Sequence, residues 1–170
     1  MAVLPIVKYG SDVLRRPTEP VTDMDEALQK LIDDMVDTMH AAPGIGLAAN
    51  QIGVSKRLAV IDLSVGKRPN ELIVLINPEI VETEGEITEE EGCLSIPDMT
   101  EIVTRPLRVK ARFRDRNGTE REMWGEGLMA RALSHETDHL KGNLFIDRLR
   151  GFKKERILKR IQKLAKAGMW

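Results

Sequence analysis

The chain has 170 residues, 42% of them hydrophobic, and a net charge of −1, which fits one domain with one sizeable core. Two Trp, one Tyr and three Phe make that core mostly aliphatic. No run of about 18 apolar residues is present to span a membrane, the opening MAVLPIVKYG has neither the basic nor the long apolar stretch of a secretory signal, and a lone cysteine closes no internal disulfide, so a cytoplasmic protein is expected.

In chain order, Thr22-Asp23 can cap a helix, because Leu28, Leu31, Ile32, Met35, Val36 and Met39 follow at helical spacing until Pro43-Gly44. Residues 57–63 (RLAVIDL) and 72–76 (LIVLI) read as strands on their β-branched content. Residues 106–124 read as a hairpin, with Val109, Ala111 and Phe113 alternating before Asn117-Gly118. A second helix is expected over 127–141, closed by Gly142, and a third over about 153–167. Strands and helices do not alternate strictly, which favours an α+β fold with antiparallel sheets over a doubly wound one. Residues 1–150 make the body; residues 151–170 add a basic amphipathic helix to the same domain.

The strongest local signal is His135-Glu136-Thr137-Asp138-His139. Residues four apart lie on one face of a helix, so both imidazoles can address one metal ion, and Glu136 can reach a water there without being a ligand. A catalytic ion needs a third protein ligand. Cys93, in Glu91-Gly92-Cys93-Leu94-Ser95, is the only thiol, and beside a histidine pair it reads better as a ligand than as a buried hydrophobe. Gly44-Ile45-Gly46-Leu47-Ala48-Ala49-Asn50-Gln51 lacks the ending of a phosphate loop. Its small residues suit close backbone packing, Gln51 offers an amide donor, and a helix end followed by a packed turn accounts for it equally well.

These three segments, in this order, resemble the signatures GxGLAAxQ, EGCLS and HExDH of the peptide deformylases. The flanks Pro5-Ile6-Val7, Asn77-Pro78 and Leu144-Phe145-Ile146-Asp147 are similar too, so the likeness spans roughly residues 5–150. It implies a hydrolase, of the bacterial type, that removes the formyl group from the N-terminal formyl-methionine of new polypeptides. The implied fold has antiparallel sheets packed around a central helix carrying the two histidines. Ferrous iron is the implied metal, with zinc, nickel or cobalt able to substitute, held by Cys93, His135 and His139. The resemblance makes Glu136 the base and then the acid, and gives Gln51 and the Leu94 N–H the task of polarising the formyl oxygen. It places substrate along Gly44, Ile45 and Gly46. Ile45, Leu128, Ala132 and Leu133 are candidates for an apolar pocket around the methionine side chain, each equally explicable as core. Glu91, Asp138 and Arg105 are candidates for orienting the ligands. Two positions depart from the family: Ser134 stands where Gln is common, and Thr100 where some members carry a basic residue.

Two other readings compete. A zinc peptidase could use the same histidine pair but leaves EGCLS and Gln51 unexplained. A ribosome- or RNA-binding module would rest on the tail alone: residues 148–170 hold nine Lys or Arg against Glu155, a charge of +8, leaving −9 on the rest. In that tail Ile157, Ile161 and Leu164 form one apolar stripe, with Lys153, Lys154, Arg156, Lys159, Arg160, Lys163 and Lys166 largely on the remaining circumference. The stripe can dock on the body while the basic face meets the ribosome. No DNA-binding feature is found.

Overall fold

The computed structural model describes residues 2–170. Helix α1 spans Glu26–Ala41 and buries Leu28, Ile32, Met35 and Met39. Its cap is neither Thr22 nor Asp23 but Asp25, whose side chain accepts the Leu28 N–H at 2.9 Å. A capping oxygen reaches the amide three residues on, so the first buried apolar position selects Asp25.

Five strands form one antiparallel sheet in the order β1-β2-β3-β6-β7: β1 Gly46–Ala48, β2 Leu58–Ile61, β3 Ile73–Glu84, β6 Arg108–Arg114 and β7 Glu120–Glu126. Strand β2 is buried on both sides. Leu58 and Val60 pack with Leu28, Ile32, Met35 and Met39 of α1, while Ala59 and Ile61 pack with Ala130, Leu133 and Leu140 of helix α2, Leu128–Leu140. That double burial is why residues 57–63 read as a continuous apolar run instead of an alternating one.

The second expected strand ends at residue 76 because Asn77-Pro78 signals a turn, yet β3 continues to Glu84. Register shifts between Ile76 and Glu79, and Asn77 adopts a φ of 51°. The chain bulges there, so the missing N–H of Pro78 breaks no regular ladder bond. The Asn77 side chain fixes the bulge by accepting the Val21 N–H and donating to the Val21 carbonyl, both at 2.8 Å.

Strands β4, Ile87–Cys93, and β5, Ile96–Arg105, form a separate hairpin. The composition of ITEEEGC gives little strand signal, and the sequence pattern does not predict this element. Helix α2 lies between hairpin and sheet: Ala130 and Leu133 face the sheet core, while Ser134, His135 and Asp138 bond to Glu91 and Arg105 of the hairpin. The architecture is α+β, with antiparallel sheets about a central helix.

Helix α3, Lys153–Lys166, buries Ile157 and Ile161 against Ile96, Met99, Val103 and Phe145, with Leu164 partly covered. Asp147 ties its start to the body. It accepts from Arg15 at 2.5 Å, from the Leu144 N–H at 2.9 Å and from Lys154 at 3.0 Å. Burial disfavours the ionised form, but these bonds outweigh it and hold the Asp147 carboxyl down at about 2. A depressed folded-state value contributes stability above the ordinary carboxylate range that is lost as pH falls through the folded value. Asp147→Asn is therefore expected to cost on the order of 1 kcal/mol at pH 7, solvent screening of this partly exposed cluster allowed for, and close to nothing near pH 2. Denaturant midpoints at the two pH values check this.

Candidate metal centre and active site

One turn of α2 brings the Nε2 atoms of His135 and His139 to 3.1 Å, and the hairpin delivers Cys93 Sγ to 3.2 Å from His139 Nε2. All three donor atoms lie within 4.8 Å of one another. For metal–nitrogen bonds near 2.0–2.1 Å and metal–sulfur bonds near 2.3 Å, tetrahedral geometry asks for donor separations of roughly 3.3 to 3.6 Å. Two of the separations, 3.1 and 3.2 Å, come close to that spacing, and the sulfur–nitrogen donor set suits a divalent transition metal.

The orientations of these candidate ligands are held from outside. Glu91 Oε2 accepts from His135 Nδ1 at 2.7 Å, which fixes the tautomer that leaves Nε2 free for a metal. Glu91 is itself gripped by Arg105 in a two-pronged pair at 2.7 and 2.6 Å and by Arg131 at 2.7 Å. These bonds overcome its burial and keep its carboxyl well below the usual range. Arg105 also donates to Asp138 and to Ser134 Oγ, each at 2.9 Å, so Ser134 supplies an acceptor to this network. Asn50 donates to the His139 carbonyl at 2.6 Å, linking the glycine-rich segment to the ligand helix.

Burial alone would lower the His135 imidazole. The neighbouring Cys93 sulfur, the hydrogen bond with Glu91 and the charge of Glu136 more than offset it and push it well above its usual value. Burial and the positive charges of His135 and Arg105 push His139 well below. Glu136 is buried, and its Oε1 has no hydrogen-bond partner among the described residues. Burial raises its carboxyl to about 7 against the charge of His135. A cation bound by the adjacent histidines would draw it down again.

Gln51 lies on a short 3-10 turn, Ala49–Ile52, directly after β1. Its Oε1 accepts the Ala48 N–H at 2.9 Å, which fixes the amide orientation and turns Nε2 toward Ser95 Oγ, at 3.2 Å, and Cys93 Sγ, at 3.6 Å. The sequence left a plain packed turn open here; the structure has a strand and a turn that aim a donor at the site.

A cavity of about 560 Å³ opens in front of these groups. Gly44, Ile45, Gly46 and Gln51 line one wall, Leu94 and Cys93 another, and Leu128, Ala132, His135 and Glu136 a third. One close approach needs glycine: a Cβ at Gly46 would lie 2.5 Å from Oε2 and 2.9 Å from Cδ of the buried Glu136, whereas one at Gly44 would meet the tip of the Leu94 side chain, at 2.8 Å. Leu133 is not on the wall. It is fully buried in the core between α2 and the sheet, because it falls on the helix face away from His135. Arg131, one turn before His135 on the same face, lines the cavity and was missed by sequence reasoning; its position four before a candidate ligand was the available signal.

The sequence model of the family described as polypeptide deformylase matches residues 3–155. The chain belongs to the polypeptide deformylase family. A peptide deformylase from Acidobacterium capsulatum is 54% identical over 170 residues, covering 100% of both chains. Among solved structures, a peptide deformylase from Legionella pneumophila superposes with a TM-score of 0.91 at 45% identity, covering 98% of each chain. One from Synechococcus elongatus, in complex with actinonin, superposes at 0.88 and 40% identity, covering 94% of this chain and 88% of that one. This polypeptide deformylase is thus a metal-dependent hydrolase that removes the N-formyl group from the formyl-methionine of newly made polypeptides, releasing formate.

Proposed function

We propose that Cys93, His135 and His139 hold the metal of this deformylase, ferrous iron natively with zinc, nickel or cobalt able to replace it, and that Glu136, Gln51 and Leu94 perform the chemistry beside it. The observation that carries this is the convergence of two imidazole nitrogens and a thiol sulfur at the cavity wall that also holds Glu136, whose buried Oε1 has no hydrogen-bond partner among the described residues. When bound, the ion supplies a Lewis acid that lets water attack at neutral pH. Glu136 accepts the proton of the attacking water and passes it to the leaving nitrogen. Gln51 Nε2 and the Leu94 N–H donate to the oxygen on which negative charge develops. Gly44, Ile45 and Gly46 offer exposed backbone to the peptide, while Ile45, Leu128 and Ala132 cover its methionine side chain. A zinc peptidase reading leaves the Cys93 thiol as third donor unexplained. The test is formate release from formyl-Met-Ala-Ser: dialysis against a chelator should abolish it, and anaerobic ferrous iron should restore it. Cleavage of unblocked Met-Ala peptides without formate release would overturn the reading.

Gln51→Ala is expected to lower kcat by on the order of 10²-fold with little change in KM, as when an oxyanion donor is lost. Steady-state kinetics check this, and a change confined to KM would reduce Gln51 to a substrate-positioning role.

The enzyme is proposed to act in the cytoplasm, near ribosomes. No helix among the described residues is long and apolar enough to cross a membrane. On α3, Lys153 pairs with Glu101 and Lys154 with Asp147, while Arg156, Lys159, Arg160, Lys163 and Lys166 make no ion pair among the described residues. That leaves a basic face for ribosomal RNA or protein. Deleting the helix would uncover the core around Ile157 and Ile161, so charge reversal is the cleaner test. Lys159→Glu with Lys163→Glu should leave turnover of short formyl peptides intact and abolish low-salt cosedimentation with ribosomes, because phosphate contacts are salt-dependent. Unchanged cosedimentation would exclude these lysines as the docking element.

A further inference from the structure

Of the three histidines, two belong to the metal centre; His40 has no part in it. It sits on the last turn of α1, and its Nε2–H donates to Asp62 Oδ2 at 2.8 Å. Asp62 directly follows β2 and is almost fully buried. Its carboxylate also accepts the Ser64 N–H at 2.9 Å, the Ser64 hydroxyl at 2.6 Å and the Gly66 N–H at 3.0 Å. Those bonds hold a tight loop in which Val65, a β-branched residue, takes a φ of 55°. A conformation this unfavourable persists only where its surroundings over-determine it. The loop closes on the imidazole: a Cβ at Gly66 would lie 3.2–3.3 Å from its ring atoms. Ser64, His40 and Asp62 are not a nucleophilic triad, because the serine hydroxyl donates to the carboxylate and the imidazole N–H does the same.

The position of this bracket in the chain gives it a purpose. The backbone N–H of Asp62 donates to the Ile45 carbonyl at 2.8 Å, and its neighbour Ile61 pairs with Gly46. At the other end, the Gly44 N–H caps α1 by donating to the Met39 carbonyl at 2.8 Å. The cavity-lining segment 42–46 is therefore slung between the end of α1 and the end of β2, and the His40–Asp62 bond is the side-chain strut joining those two supports. The segment has little slack. Gly46 lies against the buried Glu136 too closely for a methyl group, and Gly44 lies against the tip of the Leu94 side chain. A shift of a few tenths of an ångström in the rim changes the width of the cleft.

We propose that His40 and Asp62 are positioning residues that set the Gly44–Gly46 rim against the substrate backbone and so govern KM for formylated peptides. The proposal rests on the reading of that rim as a peptide-binding wall. Two substitutions separate the bond from the packing. His40→Phe keeps a ring beneath Gly66 and removes the donor; His40→Gln loses the ring and places an amide N–H where Nε2–H was. In the metal-loaded enzyme, His40→Phe should raise KM for formyl-Met-Ala-Ser about fivefold with kcat and metal content near wild type, and His40→Gln should stay within about twofold of wild-type KM. Should His40→Phe fail to fold, Asp62→Asn, which sets an amide against the two donors at Oδ2, takes its place with the same expected rise. A rise with His40→Gln but not with His40→Phe would mean that the ring only fills space, and wild-type KM in both would mean that the strut does not reach the rim; either overturns the proposal. Ile45→Ala separates this from the underlying reading. If Ile45→Ala raises KM and His40→Phe does not, the rim binds peptide but His40 does not set it. If neither raises KM, the rim is not a binding wall.

Discussion

Glu136→Ala is expected to retain its metal and to lose formate release by roughly 10²- to 10⁴-fold, the range for removal of a general acid–base group. Glu136 is one residue from His135, a proposed ligand, yet its carboxyl is not among the three converging donors, and its Oε1 lies buried without a partner among the described residues. A buried carboxyl left unbonded is costly unless it has another task. The task we propose for it is to exchange a proton with water and then with the leaving amine. Alanine removes that exchange but leaves Cys93, His135 and His139, and the Glu91 bond that orients His135, untouched. Metal stoichiometry should therefore match wild type while single-turnover formate release collapses. Turnover near wild type in a fully metallated variant would remove Glu136 from the mechanism, and loss of metal in step with activity would make it a ligand.

The parts of this site that were legible in the sequence are those whose geometry is local. Two histidines four apart on a helix share a face whatever the helix packs on, so His135 and His139 could be paired from spacing alone. Cys93 could be joined to them only by elimination and by resemblance, because a hairpin that the pattern did not predict brings it there. That hairpin has a poor strand composition; its buried carboxylate Glu91 is stabilised by Arg105 from the paired strand and Arg131 from α2, a tertiary effect that a window of residues does not contain. Leu133 shows the reverse error. It is apolar and close in sequence to His135, but helical phase turns it into the sheet core, and its neighbour Ala132 faces the cavity instead. Asn77-Pro78 reads as a stop and is a bulge, because the Asn77 side chain bonds both backbone groups of Val21, 56 residues earlier in the chain.

The largest effect on stability is expected from Arg105→Ala. The side chain is fully buried, and three of its nitrogens are committed: Nε and one terminal nitrogen to Glu91, the other to Asp138 and Ser134. Burial opposes its charge, but the two carboxylates outweigh burial and raise it. Removing the guanidinium takes from two buried carboxylates the cation they share, a change that typically costs about 3–5 kcal/mol. Arg131 still reaches Glu91, and Arg148 still holds Asp138 at 2.6 Å, so the loss should fall toward the lower end of that range. The damage should also reach the metal. Glu91 then keeps one arginine in place of two and is freer to swing away from His135 Nδ1; loosening a ligand's outer partner commonly weakens metal affinity by roughly 10- to 100-fold. Arg105→Lys tests the geometry, since an ammonium keeps the charge but cannot grip Glu91 with two parallel bonds while also reaching Asp138. It should restore part of the stability and less of the metal affinity. Denaturant midpoints and competition with a chelator measure the two effects separately. A midpoint shift of less than about 1 kcal/mol in Arg105→Ala would show that Arg131 and Arg148 suffice, and unchanged metal affinity in a destabilised variant would show that Glu91 holds His135 without help from Arg105.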